Sequence, residues 1–215
     1  MGELQSNDTT VRRMPERGHY DRATVHAILD EGLVAHVGVI SNGRPVVMPM
    51  VYGRDGDTLY LHGSPASRLL RSGKKGQDLC VTVTLVDGLV LARSPLHHSA
   101  NFRSVVVLGQ ATAVENLDEK SRILDLITDH VVPGRMTGVR PNTEQELRAT
   151  LVLALPIDEA SAKVRTGPPV DDEEDYEGPH WAGIIPLGIA VGEPVPDPRL
   201  SPGIDPPAHV TGWAR

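Results

Sequence analysis

Leu33-Val-Ala-His-Val-Gly-Val-Ile-Ser-Asn-Gly-Arg-Pro-Val-Val-Met-Pro-Met-Val-Tyr52 decides the fold. Two apolar, β-branched runs, 33–40 and 45–52, flank Asn42-Gly43, a pair that tolerates the positive φ angles of a tight hairpin turn. Two antiparallel strands are therefore expected here. Upstream, Val25, Ile28 and Leu29 fall at helical spacing between Asp21, a capping residue, and Gly32, a terminator, so a short amphipathic helix leads into the hairpin. Downstream, the turn at residues 54–57 leads to Thr58-Leu-Tyr-Leu-His62, a third strand.

Past His62 the reading is strand, then helix. Ser64-Pro65 offers an N-cap and first helical residue for a helix over 66–72. Asp87-Gly88 predicts another hairpin between 79–86 and 89–92, and residues 102–114 read as one long strand. A helix over 117–132 is opened by Asp118 and Glu119 and closed by Pro133-Gly134. Thr143 and Glu146 fit a capping box, and 151–155 and 160–164 supply two last strands. The acidic run 171–175 reads as a solvated loop. The fold class expected is mainly β with inserted helices, an antiparallel barrel without alternating βαβ units.

At 215 residues the chain suits one domain,. That domain is expected over 12–194, between a flexible N-terminus at 1–11 and a proline-rich tail at 195–215. A net charge of −7 supplies no basic field for nucleic acid or an anionic bilayer,. The polar start and the lack of an apolar stretch of 18 residues point to a cytoplasmic protein without a membrane partner. The single cysteine, Cys80, excludes an internal disulfide, and its apolar neighbours predict a buried thiol,.

Two clusters could carry chemistry. In His62-Gly-Ser-Pro-Ala-Ser-Arg68 a strand ends in small residues at a helix start, so Gly63 and the backbone can approach an anion while Ser64, Ser67 and Arg68 donate to it. The same residues also serve plain capping. In Arg93-Ser-Pro-Leu-His-His-Ser-Ala-Asn-Phe-Arg103-Ser104 the density of polar groups suits the edge of a heterocycle. There His98 and Asn101 are candidate ligand contacts, Arg103 could balance a negative charge, and His97 and His98 could equally pack within the loop. No HExxH spacing or cysteine pair accompanies the histidines, so no metal ligand set is expected. A haem would need an axial ligand, for which His62, His97, His98 and His130 are indistinguishable. No GxGxxG, P-loop or GxSxG motif occurs.

The order helix, Asn-Gly hairpin, LYLHGSPASR, DGLVLARS, HHSANFRSVVVLG and HWAGI resembles the pyridoxamine 5′-phosphate oxidase-like flavin-binding family, in the branch holding nitroimidazole-resistance proteins. The likeness spans about residues 12–187. It implies a split β-barrel that dimerises and binds flavin mononucleotide (FMN) in clefts between subunits. By resemblance Val46, Val47, Met48, Pro49 and Met50 line the isoalloxazine, His62 and Gly63 lie beside the ribityl chain, and Ser67 with Arg68 hold the phosphate. Trp181 would cover the ring or pack. Two departures stand out: the oxidases carry Arg-Lys where this chain has Arg68-Leu69, and a flavin-contacting glutamine where it has Ser104. Their arginine-rich C-terminal segment is absent, which argues against vitamin B6 oxidation. The resemblance implies an oxidoreductase acting on a small molecule, with deazaflavin-dependent, haem-binding and non-catalytic flavin-binding relatives as alternatives.

Overall fold

The computed structural model describes residues 2–214. In chain order the elements are β1 (Gly18–His19), α1 (Arg22–Glu31), β2 (Ala35–Ser41), β3 (Arg44–Met50), β4 (Tyr52–Asp55), β5 (Thr58–Gly63), α2 (Arg68–Lys74), β6 (Asp78–Leu91), β7 (Ser99–Gln110), β8 (Thr112–Ala113), α3 (Leu117–Val131), α4 (Glu144–Ala149), β9 (Leu151–Pro156), β10 (Glu159–Arg165), β11 (Gly183–Pro186) and α5 (Ala208–Thr211). The chain is mainly β, and its strand pairs are antiparallel. It divides into two compact units, one of Met1–Gly32, Val81–Val107 and Glu159–Ile189, the other of Leu33–Cys80, Leu108–Asp158 and Ala190–Arg215.

In the first unit, β10 lies between β1 and β7, β7 is followed by β6, and β11 pairs with β6. Helix α1 is the helix expected: Asp21 accepts from the Thr24 N–H at 2.8 Å, Val25, Ile28 and Leu29 are buried, and the Gly32 N–H returns to the Ile28 carbonyl. The segment expected to be a flexible N-terminus is tied in. Leu4 is buried, its N–H donates to the Tyr20 carbonyl, and its carbonyl accepts from the Ala160 N–H. The hairpin expected at Asp87-Gly88 does not form, because β6 runs straight through it. Gly88 faces Pro186, and Leu89 faces Ile185, in the β11 register. A Cβ on Gly88 would lie 3.0 Å from the Ile185 carbonyl oxygen, so the glycine serves close strand approach instead of a turn,.

The second unit holds the Asn42-Gly43 hairpin as expected. Asn42 (φ 53°) and Gly43 (φ 71°) are both left-handed, and the register closes at Ser41 opposite Arg44,. A four-stranded sheet runs β4, β5, β9, β8, with β8 a separate strand where one long strand over 102–114 was expected. Helix α3 covers it through Ile123 and Ile127, which pack with Tyr60 and Val152. At Gly53 a Cβ would sit 2.5 Å from Leu126, which makes a glycine necessary under the helix. Helix α4 has its capping box. Helix α2 begins later than expected: Ser67, not Ser64, is its N-cap, accepting from the Leu70 N–H, while the Ser64 hydroxyl accepts from the Ala66 N–H. Leu69, Leu70 and Gly73 are buried, and a Cβ on Gly73 would meet Leu153 at 2.7 Å. That close seat on β9 turns the opposite face of α2 outward. The end of the tail is held by the Trp213 indole N–H, which donates to the Val131 carbonyl at 2.8 Å.

Candidate functional site

The residues singled out by the sequence fall into two sets, one in each unit. In the second unit, β2 alternates between buried and exposed positions, whereas β3 is largely exposed along its length. Val47 is 62% and Met48 39% exposed, and Val46, Pro49 and Met50 complete an accessible apolar strand. Pro45 and Pro49 offer no N–H, which suits a strand at the end of its sheet,. An apolar strand presented this way is a surface for a ligand or partner to cover.

His62 and Gly63 end β5, and a Cβ on Gly63 would touch Leu70. The His62 Nδ1 is buried without a hydrogen-bond partner among the described residues, and burial pushes the imidazole pKa down, so the ring is neutral near pH 7,. The Ser67 hydroxyl accepts within the cap and retains its own proton for donation,. Arg68, Arg71, Ser72 and Lys75 then follow at one-turn spacings along the outward side of α2 and its C-cap,. With Ser41, Asn42 and Gln77 they line a cavity of about 340 Å³. Among the described residues none of these three cations meets a carboxylate. Arg71 and Lys75 were missed from the sequence because a helix ending at residue 72 places Lys75 in a loop. With α2 running two residues further, to Lys74 with Lys75 as its C-cap, the spacing Arg68, Arg71, Lys75 becomes a single stripe.

In the first unit the polar residues are mutually occupied. Arg103 is gripped by the carboxylates of Asp87, at 2.7 and 3.0 Å, and of Glu31, which raise its pKa further. Its charge, expected to balance a ligand, is already balanced. Asn101 is buried and accepts from the Arg165 guanidinium. His98 Nδ1 lies 2.8 Å from the Ser94 carbonyl, so that nitrogen carries the proton,. His97 pairs with Asp172, and the Ser104 hydroxyl faces the Lys163 carbonyl at 3.4 Å. Trp181 is 68% exposed, its ring close beside Gly183. The acidic run is not simply a solvated loop. Asp171 is buried and accepts from the Arg93 N–H, the Arg93 guanidinium and the Ser94 N–H. Burial alone would raise its pKa, but these donors win and hold it below the usual carboxylate value,. The Arg93 guanidinium also lies 4.6 Å above the Tyr176 ring,.

Among the described residues no group of three or more His, Cys, Asp or Glu is placed to hold a metal ion, and no helix is long and apolar enough to cross a membrane. Cys80 forms no disulfide and is half-buried where a buried thiol was expected. Residues 21–164 match the pyridoxamine 5′-phosphate oxidase family. The flavocytochrome Anf3 from Azotobacter vinelandii is 45% identical, with a TM-score of 0.93 and 99% of each chain covered. The FAD and haem binding protein from Mycobacterium smegmatis is 37% identical, with a TM-score of 0.87, covering 91% of this chain and 96% of that one. A candidate 5-nitroimidazole antibiotic resistance protein from Bacteroides thetaiotaomicron is 26% identical, with a TM-score of 0.57, over 68% of this chain and 86% of its own. Among curated proteins none matches. These likenesses fix the fold class as the mainly β, split-barrel type, and the chain belongs to the pyridoxamine 5′-phosphate oxidase family.

Proposed function

We propose that the protein is a cytoplasmic flavin-binding redox protein that passes electrons between a small molecule and a bound flavin nucleotide. The observation that carries this reading is the pairing of surfaces within one unit: an exposed apolar strand, Val46 to Met50, and a cavity with three uncompensated cations. A flavin nucleotide has those two chemistries, a large weakly polar ring and a phosphate. The FMN portion of the ligand would use β3 for the ring, His62 and Gly63 for the ribityl chain, and Ser67 with Arg68 for the phosphate. The flavin supplies one- and two-electron chemistry when bound, and the protein's part is to hold and shield it. The names of two similar structures, a flavocytochrome and a FAD and haem binding protein, support the same reading.

A haem as a second group is favoured by one observation. The haem ligands open to the sequence were four histidines; His97 is hydrogen-bonded to Asp172 and His98 to the Ser94 carbonyl, and the His130 ring lies 4.8 Å from the Tyr52 ring. His62 remains, neutral and with a buried nitrogen lacking a partner among the described residues, the protonation state an iron ligand requires; in that role it would leave the ribityl chain to Gly63,. The residues therefore fit the group. The exposed β3 strand also supports a homodimer, for which light scattering should give twice 23.2 kDa,.

The test is the visible spectrum of the purified protein, with heat-released cofactors identified by mass. Two visible flavin bands are expected, joined by a Soret band if haem is present. A single band at shorter wavelength would mean a deazaflavin. A colourless protein that takes up no added flavin would overturn the reading.

A further inference from the structure

We infer that Arg165, Arg17 and Lys163, where β1 meets β10 in the first unit, form a binding site for a small doubly charged oxyanion of the phosphate-monoester type. None of the three is among the residues assigned above to the flavin, so the inference goes beyond that reading and does not rest on it. Its ground is a buried charge that the fold orients without cancelling. Arg165 is 7% exposed, and its guanidinium meets neutral acceptors: Nη1 donates to the Asn101 amide oxygen and to the Gly167 carbonyl at 3.2 Å, and Nη2 to the Pro168 carbonyl at 3.2 Å. Gly167, at φ 100°, makes the turn that returns these two carbonyls to the side chain,. Among the described residues Arg165 pairs with no carboxylate. A buried guanidinium without a counter-charge is costly unless an anion reaches it. The bonds it makes leave the Nε–H and a second Nη2–H, neighbouring donors with which an arginine grips two oxygens of one anion,.

The neighbours of Arg165 are further cations. Lys163 precedes it by two residues on β10 and so shares its face of the sheet, and the residue opposite Lys163 on β1 is Gly18, which puts no side chain over it,. The Lys163 ammonium donates to the Arg13 carbonyl at 3.2 Å and keeps its other protons,. Arg17 ends the 3-10 turn Pro15–Arg17, which packs on β10. Its carboxylate partner is the adjacent Glu16, at 3.8 Å and with a side chain 64% exposed. Burial first, and then the charge of Arg17, push the Arg165 pKa down, so the two guanidinium groups oppose each other and an anion shared between them relieves both,. Three cations against one solvent-facing carboxylate leave an excess of two positive charges, in a chain of net charge −7. A phosphate monoester carries about −2 near pH 7 and matches that excess. Exposure is graded as a ligand site needs: Arg165 is buried, while Lys163 and Arg17 are half-buried and within reach of solvent.

The experiment titrates the purified protein, any bound cofactor left in place, with inorganic phosphate and with acetate by calorimetry, each against sodium chloride of the same ionic strength. Wild type should bind phosphate saturably and at least tenfold more tightly than acetate. Arg17→Ala/Lys163→Ala, which removes the two half-buried cations and leaves Arg165 in place, should lose at least tenfold in phosphate affinity. Arg71→Ala/Lys75→Ala, which removes cations of the cavity beside α2, should keep this binding within about twofold. Unaltered circular dichroism spectra would show that both variants fold. No saturable binding beyond the chloride control, or a loss that follows Arg71 and Lys75 instead of Arg17 and Lys163, would overturn the inference. Loss of a bound flavin from Arg17→Ala/Lys163→Ala would overturn it too, by making these cations part of the flavin site. A wild type that binds phosphate here but no flavin would overturn the flavin reading alone.

Discussion

Arg68 and Arg103 are the two arginines that the sequence offers to an anion, and their surroundings are opposite. Arg103 meets two carboxylates, Glu31 and Asp87, while Arg68 shares a cavity with two further cations and no acid. The partners of Arg103 come from a helix 72 residues away and a strand 16 residues away, so nothing local marks the guanidinium as occupied. An arginine is informative about ligands only when its charge is not already matched within the fold.

The largest test of this contrast is Leu69→Lys, which restores the oxidase-type cation. Because Leu69 is fully buried, the ammonium would have to be buried or the helix would have to lift off. A loss of about 3 kcal/mol or more in denaturant stability is expected. If the variant is instead stable and binds FMN more tightly, the cation stripe is not where the phosphate goes.

Next is Arg68→Ala, which should weaken FMN about tenfold or more and riboflavin barely, since charge-assisted hydrogen bonds are worth roughly 1.5–3 kcal/mol. Equal loss for both ligands would remove the phosphate assignment. The counterpart, Arg103→Ala, should change flavin affinity less than about twofold and cost roughly 1 kcal/mol, as Glu31 and Asp87 are left facing each other. A large loss of flavin binding would break the comparison from the other side.

The smallest effect is in pH. The folded pKa of His62 lies below the unfolded value of 6.5, so as pH falls through about 6.5 the unfolded chain takes up a proton that the folded one refuses,. Tm should therefore drop below pH 6.5, and His62→Gln should flatten that slope. Asp171 is shifted in the same direction for a different reason, its donors favouring the charged form: its contribution is present above the ordinary value of 3.8 and lost as pH falls through its depressed folded value,.

Two identical-looking signals explain how far the sequence could be read. Asn42-Gly43 and Asp87-Gly88 are both turn dipeptides between apolar runs, yet only the first turns. At the second, β11 arrives from 95 residues further along the chain and extends the pairing across the glycine, a non-local interaction that overrides local preference. The strand class, the Asp21 cap and the Thr143-Glu146 capping box are local and were legible. The neutralisation of Arg103, the burial of Asp171 and the place of Arg71 and Lys75 in the cavity lining depend on tertiary partners or on where α2 ends, and were not.

The chain has two tryptophans, Trp181 at the edge of β11 in one unit and Trp213 hydrogen-bonded to Val131 in the other. Each unit thus carries its own intrinsic fluorophore, one wet and one held against the backbone. Replacing either by Phe leaves a protein whose emission reports a single unit, so denaturation followed at the two tryptophans separately measures whether the units melt together or in turn.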